Sequence, residues 1–425
     1  MPDYRPWLVV PLGLVVGMSV IFVAHMVASG SPAVGGDYGR YYTAAHLMLQ
    51  GRNPYDQAAL LRAEHAYESL SVAHALATSD GFVLLPFVIW PILLLVRLPF
   101  WTSYVILTVV ATVAFSTTIA LLARARGWTR WWIVAILPCF SWVFVWGRLV
   151  GQLDFVIPIC LVVTAYLLAR RLNYLAGVAF TGIWVQPELT WMAGVALVVL
   201  LARDHSALKQ VLMGFFGASV VLFGISALVP HGMLVDWLQG GATFLHREGT
   251  HEYDLLGLLG LIQVLSPRSV DLYSVTAFPT LMLAAAGLVV ASTVAVWMAR
   301  SRAIAGMPTF EAALWRLFVP LSIWLLFTPY GHPNNAVILI PLVVLAVGAD
   351  ASGIATSAVE VALLSVAMVV AQFFSGTVLF DDLMPLATAL LLVLVFRRLR
   401  QLEEESATRL VSPAGPAGVG SPSPV

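Results

Sequence analysis

The sequence predicts an all-α, polytopic transmembrane bundle of about 12 crossings, and three observations carry that prediction. Only 10% of the 425 residues are charged, against roughly 25% in a soluble globular domain. Hydrophobic residues make up 60% of the chain and the mean hydropathy is +0.91, so most of the surface is built for lipid rather than water. The apolar stretches are continuous rather than alternating at period two, which selects helices over a β-barrel as the spanning element.

The candidate spans, in order, are 7–28, 81–97, 100–123, 131–148, 153–169, 172–186, 188–202, 208–230, 275–299, 312–328, 334–349, 353–373 and 385–396. The first is apolar from Trp7 to Ala28. As a helix it reaches about 33 Å, enough to cross a bilayer and longer than the core of a signal peptide. Basic residues orient the rest. Arg5, Arg124–Arg126–Arg130, Arg170–Arg171, Arg203 with Lys209, Arg300 with Arg302, and Arg397–Arg398–Arg400 fall on one side, read as cytoplasmic. Both chain ends then lie inside, and the number of crossings is even. One of the thirteen candidates must fail to cross; the segment 81–97, broken by Pro86 and Pro91, is the choice. Residues 1–403 form a single membrane domain, with a first outer loop at 29–80 and a second at 231–274. The Pro/Gly/Ser-rich stretch 404–425 cannot bury a core and reads as a disordered cytoplasmic tail.

Zero net charge removes the electrostatic case for nucleic acid. The two cysteines, Cys139 and Cys160, sit in apolar runs with no CxxC spacing, as packing residues do. His246-Arg247-Glu248 and His251-Glu252-Tyr253-Asp254 lack a metal-site spacing such as HExxH and read as a solvated loop. Most histidines and many acidic residues gather on the outer side, where a site is expected.

The most informative segment is Gly35 to Asp56, GGDYGRYYTAAHLMLQGRNPYD. Its apolar positions define a short amphipathic helix, ended by Gly51 and followed by a turn at Asn53-Pro54-Tyr55-Asp56. Such a helix is expected to lie at the membrane surface with its apolar face in the headgroup zone. Asp37 precedes it and would stand at the lipid–water boundary. A carboxylate there can act as a general base, bind a cation or cap the helix expected to start near Gly39.

The pattern G-D-Y-x-x-Y-Y-x-A-A-x-x-x-L-x-G-x-N-P-Y-D resembles the signature of the polyprenol-phosphate-dependent GT-C glycosyltransferases, specifically the glycosyltransferase family 87 group that includes mycobacterial mannosyltransferases. Further echoes follow in order: Phe82 to Pro86 with Pro91, Gly151-Gln152-Leu153-Asp154, Ala176-Gly177 with Gln186-Pro187, and Thr328-Pro329-Tyr330-Gly331-His332. Together they cover roughly residues 1–350. Two positions depart from the family pattern: Gln186 stands where Lys is frequent, and Asp154 where Asn is usual.

The resemblance implies a GT-C-like fold and an inverting transfer of a sugar, mannose first among hexoses and pentoses. The donor would be a polyprenyl-phosphate sugar and the acceptor a lipid or glycan hydroxyl, at the outer face of a bacterial cytoplasmic membrane. No cofactor is expected, and a metal is not demanded, because Arg and His can neutralise a monophosphate leaving group. Asp37 would be the catalytic base. Tyr41, Tyr42, Arg52, Asn53, Tyr55, Arg148, Gln152, Gln186, His251 and His332 would contact substrate, and Arg52, Arg148, Arg247, His251 and His332 are the candidates for holding the phosphate. The competing readings are a transporter or flippase, for which Asp154, Glu188 or Glu360 would have to line a pore, and a non-catalytic lipid-binding scaffold with no need for Asp37.

Overall fold

The computed structural model describes residues 34–66, 84–127, 135–140, 142–228, 233–239, 278–328, 333–346 and 395–404, with isolated helical positions between 17 and 28, at 258 and at 392–393. Among these residues the chain is helical throughout and contains no strand. Among the described residues, four helices are long and apolar enough to cross a membrane: Phe100–Ala125 (α3), His205–Leu228 (α8), the Thr280–Arg300 part of Phe278–Arg300 (α9), and Thr309–Phe327 (α10). Shorter apolar helices coincide with most of four other expected spans, at Val156–Ala169, Asn173–Val185, Pro187–Leu201 and Asn335–Leu345. Span 353–373 and most of spans 385–396 and 7–28 lie outside the described residues.

The polar segment between the first span and α3 folds as two helices, Gly36–Leu49 (α1) and Gln57–Ala66 (α2). The stretch expected not to cross is no continuous helix where it is described. It is a 3₁₀ turn at Pro86–Ile89, one helical turn at Trp90–Leu93, and further turns up to Leu98. Two prolines five residues apart remove backbone donors and restrict the preceding residues, which prevents a regular helix.

After α3 come Trp142–Val150 (α4), Val156–Ala169 (α5), Asn173–Phe180 (α6) with a 3₁₀ extension to Val185, and Pro187–Leu201 (α7). The 3₁₀ segment Pro333–Leu339 runs on into Ile340–Ala346 (α11). Helix α10 is the hub: it packs against α5, α7, α9 and α11, and Trp315, Phe318, Leu321 and Leu325 are fully enclosed. Helices α3, α8 and α9 instead leave large apolar faces uncovered, including Val109, Val113, Phe216, Val220, Met282 and Val289. That is the distribution of a bundle whose outer solvent is lipid.

Two glycines set the closest helix pair. A Cβ on Gly177 would stand 2.0 Å from the Val211 carbonyl oxygen, and one on Gly214 would stand 2.0 Å from that of Tyr174. Helices α6 and α8 therefore meet backbone to backbone, as small residues permit in membrane bundles.

Several of the basic positions read as cytoplasmic share one end of the described bundle. Arg126, following α3, pairs with Glu311 at 3.4 Å, donates to the Leu345 carbonyl and lies within electrostatic range of Arg398. Ser301 hydrogen-bonds Glu403, and Tyr166, beside Arg170, meets Phe310. The other end of α3 carries the first-loop helices. With 26 residues, α3 holds the two ends about 39 Å apart. These basic residues thus gather at one end and the conspicuous loop motif at the other.

Candidate functional site

Helix α1 is not spread on a lipid surface, contrary to the expectation from its sequence. Tyr38, Tyr41, Tyr42, Ala44, Ala45, Leu47 and Met48 are buried, packed on α2, α3, α4 and the 86–93 turns. An apolar stripe alone cannot distinguish lipid from protein as its partner; here protein covers it. The helix also begins earlier than Gly39. Gly35 is the N-cap and Asp37 lies in the first turn, where its charge complements the helix dipole.

The start of α1 is fastened to the turn after α4. The Gly35 amide donates to the Leu149 carbonyl at 2.7 Å. Gly151 (φ +87°) ends α4, with the Gln152 amide reaching back to the Gly147 carbonyl at 2.8 Å, a left-handed helix terminus that a glycine adopts without a Cβ penalty. Tyr104 of α3 braces the same turn, its hydroxyl 2.8 Å from the carbonyl oxygens of Arg148 and Leu149. Tyr38 anchors α1 to α3 through Ser103, and burial pushes its hydroxyl pKa up to about 12.

This turn delivers Gln152 to Asp37. The Gln152 Nε2 donates to Asp37 Oδ2 at 2.5 Å, and its Oε1 accepts from the Tyr41 hydroxyl at 3.1 Å. Because a phenol donates to the amide oxygen, the amide nitrogen is left facing the carboxylate. The Tyr41 hydroxyl stays protonated: burial first, then the charges of Asp37 and Asp154, hold its pKa well above the ordinary value of 10.0. The carboxylate itself is accessible, with 24% of its side chain exposed, and Arg40 Nη1 stands 3.8 Å from Oδ1.

Behind this layer lies a second, buried one. Arg148 is 7% exposed; it donates to the Gln152 carbonyl, and its guanidinium lies over the Phe155 ring at 4.3 Å. Asp154 is 1% exposed and Asn335 is fully buried. The Asn335 amide nitrogen donates to both Asp154 Oδ2 and Gln186 Oε1, at 3.0 Å each. Two positions at which the chain departs from the family-like pattern, Asp154 and Gln186, therefore meet on one asparagine side chain. Asp37, Tyr41, Gln152, Arg148, Asp154, Asn335 and Gln186 form one polar constellation drawn from the ends of α1, α4, α5 and α7 and from the start of the 333–346 segment.

The remaining expected contacts are placed elsewhere or not described. Tyr42 donates to the Leu98 carbonyl at 2.7 Å and packs edge-on against Phe100. Asn53 closes its own turn by accepting from the Tyr55 amide at 2.9 Å and reaches Asp236 at 2.6 Å. Tyr55 donates to the Leu84 carbonyl at 2.5 Å. These three side chains tie the first loop to its surroundings. Arg52 is exposed at the far end of α1. Arg247, His251 and His332 lie outside the described residues, as does nearly all of the 231–274 loop. No group of three metal-ligating side chains occurs among the described residues.

Sequence reasoning missed Arg40 and Asn335. Arg40 carried a signal, since a residue three positions after Asp37 on a helix shares its face. Asn335 carried almost none: it is 181 residues from Asp154 and 149 from Gln186. The site belongs to a helical, membrane-type bundle with an accessible carboxylate at the head of a buried polar network. No protein-family model matches the chain, and neither the curated proteins nor the solved structures yield a match.

Proposed function

We propose that the protein is a membrane glycosyltransferase that moves a hexose or pentose, mannose foremost, from a polyprenyl-phosphate sugar to a lipid or glycan hydroxyl with inversion. The reaction would take place at the outer face of a bacterial cytoplasmic membrane. The observation that carries the reading is the state of Asp37: an accessible carboxylate, held by Gln152 on one oxygen, at the end of the bundle opposite the basic clusters. Single displacement at an anomeric carbon requires a base for the acceptor's proton on the face opposite the leaving group, and a positioned carboxylate performs that task. The segment that supplies Asp37 and the turn that supplies Gln152 are also two of the segments that resemble the glycosyltransferase pattern. Around them the chain offers apolar helix faces to lipid, the medium that carries a polyprenyl donor.

In this reading Asp37 accepts the proton of the acceptor hydroxyl as its oxygen bonds to the anomeric carbon. The bond from that carbon to the phosphate oxygen breaks, and its electron pair leaves with the phosphate. Gln152 fixes the rotation of the carboxylate, and Tyr41 fixes the orientation of Gln152.

The test is transfer from a panel of radiolabelled polyprenyl-phosphate sugars by purified wild-type protein and Asp37→Asn. The wild type should transfer one sugar, and the variant should be slower by about 10²–10⁴-fold. Undiminished transfer by Asp37→Asn would end the assignment. The buried charges Arg148 and Asp154 give a second reading, a lipid or solute transporter. That reading predicts substrate movement across vesicles without formation of any glycosidic bond.

A further inference from the structure

Arg40 lies one helical turn after Asp37 on α1, and the two side chains are 29% and 24% exposed. They occupy the same accessible edge of the helix. Their closest approach, 3.8 Å, is an ion pair beyond hydrogen-bond reach. The Nε of Arg40 is buried with no hydrogen-bond partner. An arginine carries five N–H donors in a planar fork, and among the described residues this one engages only a loose contact with Asp37. Its donor capacity is therefore largely unspent.

The other guanidinium of the site shares the unpartnered Nε but differs in its exposure and in its other bonds. Arg148 is buried, covered by Phe155 and tied to the Gln152 backbone. Of the two guanidinium groups, Arg40 is the one an anion in solvent can reach. Beside it, a Cβ placed on Gly36 would touch nothing within 4 Å among the described residues.

We propose that Arg40 is the residue that binds the phosphate of the polyprenyl-phosphate donor, and that it exchanges its contact with Asp37 for the phosphate during transfer. This rests on the glycosyltransferase reading above. Planar, bidentate recognition of a phosphate is what a guanidinium does better than any other side chain. The position also has a chemical consequence. The donor phosphate is a diester with one negative charge; when its bond to the sugar breaks, it keeps the electron pair and becomes a monoester with greater charge. Arg40 is then drawn toward the phosphate and away from Asp37. The carboxylate loses a neighbouring cation in the same step in which it takes the acceptor's proton. Bond formation at the acceptor oxygen, proton transfer to Asp37 and departure of the phosphate are thus coupled through one side chain.

The experiment measures binding of undecaprenyl phosphate and of uncharged undecaprenol to purified wild type, Arg40→Gln, Arg40→Lys and Asp37→Asn, alongside transfer. The wild type should prefer the phosphorylated lipid. Arg40→Gln should weaken that lipid roughly tenfold or more while leaving undecaprenol unchanged, and Asp37→Asn should retain phosphate affinity while losing transfer. Arg40→Gln that binds undecaprenyl phosphate like the wild type, yet transfers slowly, would overturn the proposal and leave the transferase reading standing. A wild type with no preference for the phosphorylated lipid would overturn both. If Arg40→Gln loses its melting transition, Arg40→Lys decides: a folded lysine variant should bind the phosphorylated lipid several-fold more weakly, because it lacks the fork, and wild-type affinity there would overturn the proposal.

Discussion

Gly151 faces Tyr38 so closely that a Cβ added to the glycine would stand 2.4 Å from the Cβ of the tyrosine. The glycine also holds φ at +87°. Two independent penalties therefore fall on any side chain at this position. Left-handed backbone costs a non-glycine residue about 1–2 kcal/mol, and overpacking adds about 1–3 kcal/mol. Gly151→Ala should lower the unfolding temperature in detergent markedly and separate α1 from the α4 turn. A melting curve overlapping that of the wild type would show that the two elements need not touch.

Gln152 presents its nitrogen to Asp37 because its oxygen is occupied by Tyr41. Gln152→Leu keeps the side-chain volume and removes both hydrogen bonds. It should reduce transfer by about one to two orders of magnitude, in line with loss of a charge-assisted hydrogen bond worth about 1.5–3 kcal/mol. Steady-state kinetics on the purified variant provide the check, and the effect should fall on kcat more than on KM because Gln152 orients the base.

Tyr41 gives a pH prediction. Its folded-state pKa is raised well above the ordinary value of 10.0, chiefly by burial, so the protonated phenol is favoured by folding. That stabilisation is complete below about pH 10 and is lost as pH rises toward the folded-state pKa. The wild type should show no contribution from Tyr41 to the pH dependence of its melting temperature near neutrality and a decline in alkali. In Tyr41→Phe the alkaline decline should be shallower, while stability at neutral pH is lower by about 1 kcal/mol for the lost hydrogen bond.

Asn335 is the buried link between Asp154 and Gln186. Asn335→Asp would set a second carboxylate against Asp154 in a buried place, at a penalty of about 3–5 kcal/mol. Asp154→Asn in the same chain should recover most of that loss, since it restores one amide and one carboxylate to the pair. Thermal unfolding of the two single variants and the double variant closes the cycle.

Much of this architecture could be read from the chain. Continuous apolar runs marked α3, α8, α9 and α10, and Pro86 with Pro91 marked a segment that does not form a regular helix. The Gly35–Asp56 block and Gly151-Gln152 pointed to segments that do meet. Alternation of charge alone puts the arginines near 126, 300 and 398 on one side, and the contacts of Arg126 with Glu311 and Arg398 and of Ser301 with Glu403 agree with a shared side. What could not be read was the neighbour of each face. Tyr41 and Tyr42 are adjacent and chemically alike, yet one turns to Gln152 and the other to the Leu98 carbonyl; only the packing of α1 decides between them. The same holds for the apolar stripe of α1, which suits a bilayer and a protein groove equally well. Asn335 had no local mark at all.

The amide that joins Asp154 to Gln186 also sets an order of assembly. Chains are synthesised from the N-terminus, and their parts begin to fold as they emerge. Asp37 and Gln152 can meet once the first third of the polypeptide has been inserted. Asp154 and Gln186 gain their shared partner only after position 335 has left the ribosome. A nascent chain arrested between these points holds a carboxylate without its amide, and so lacks a completed site. The constellation therefore matures late in synthesis, and premature termination anywhere before residue 335 yields an incomplete product.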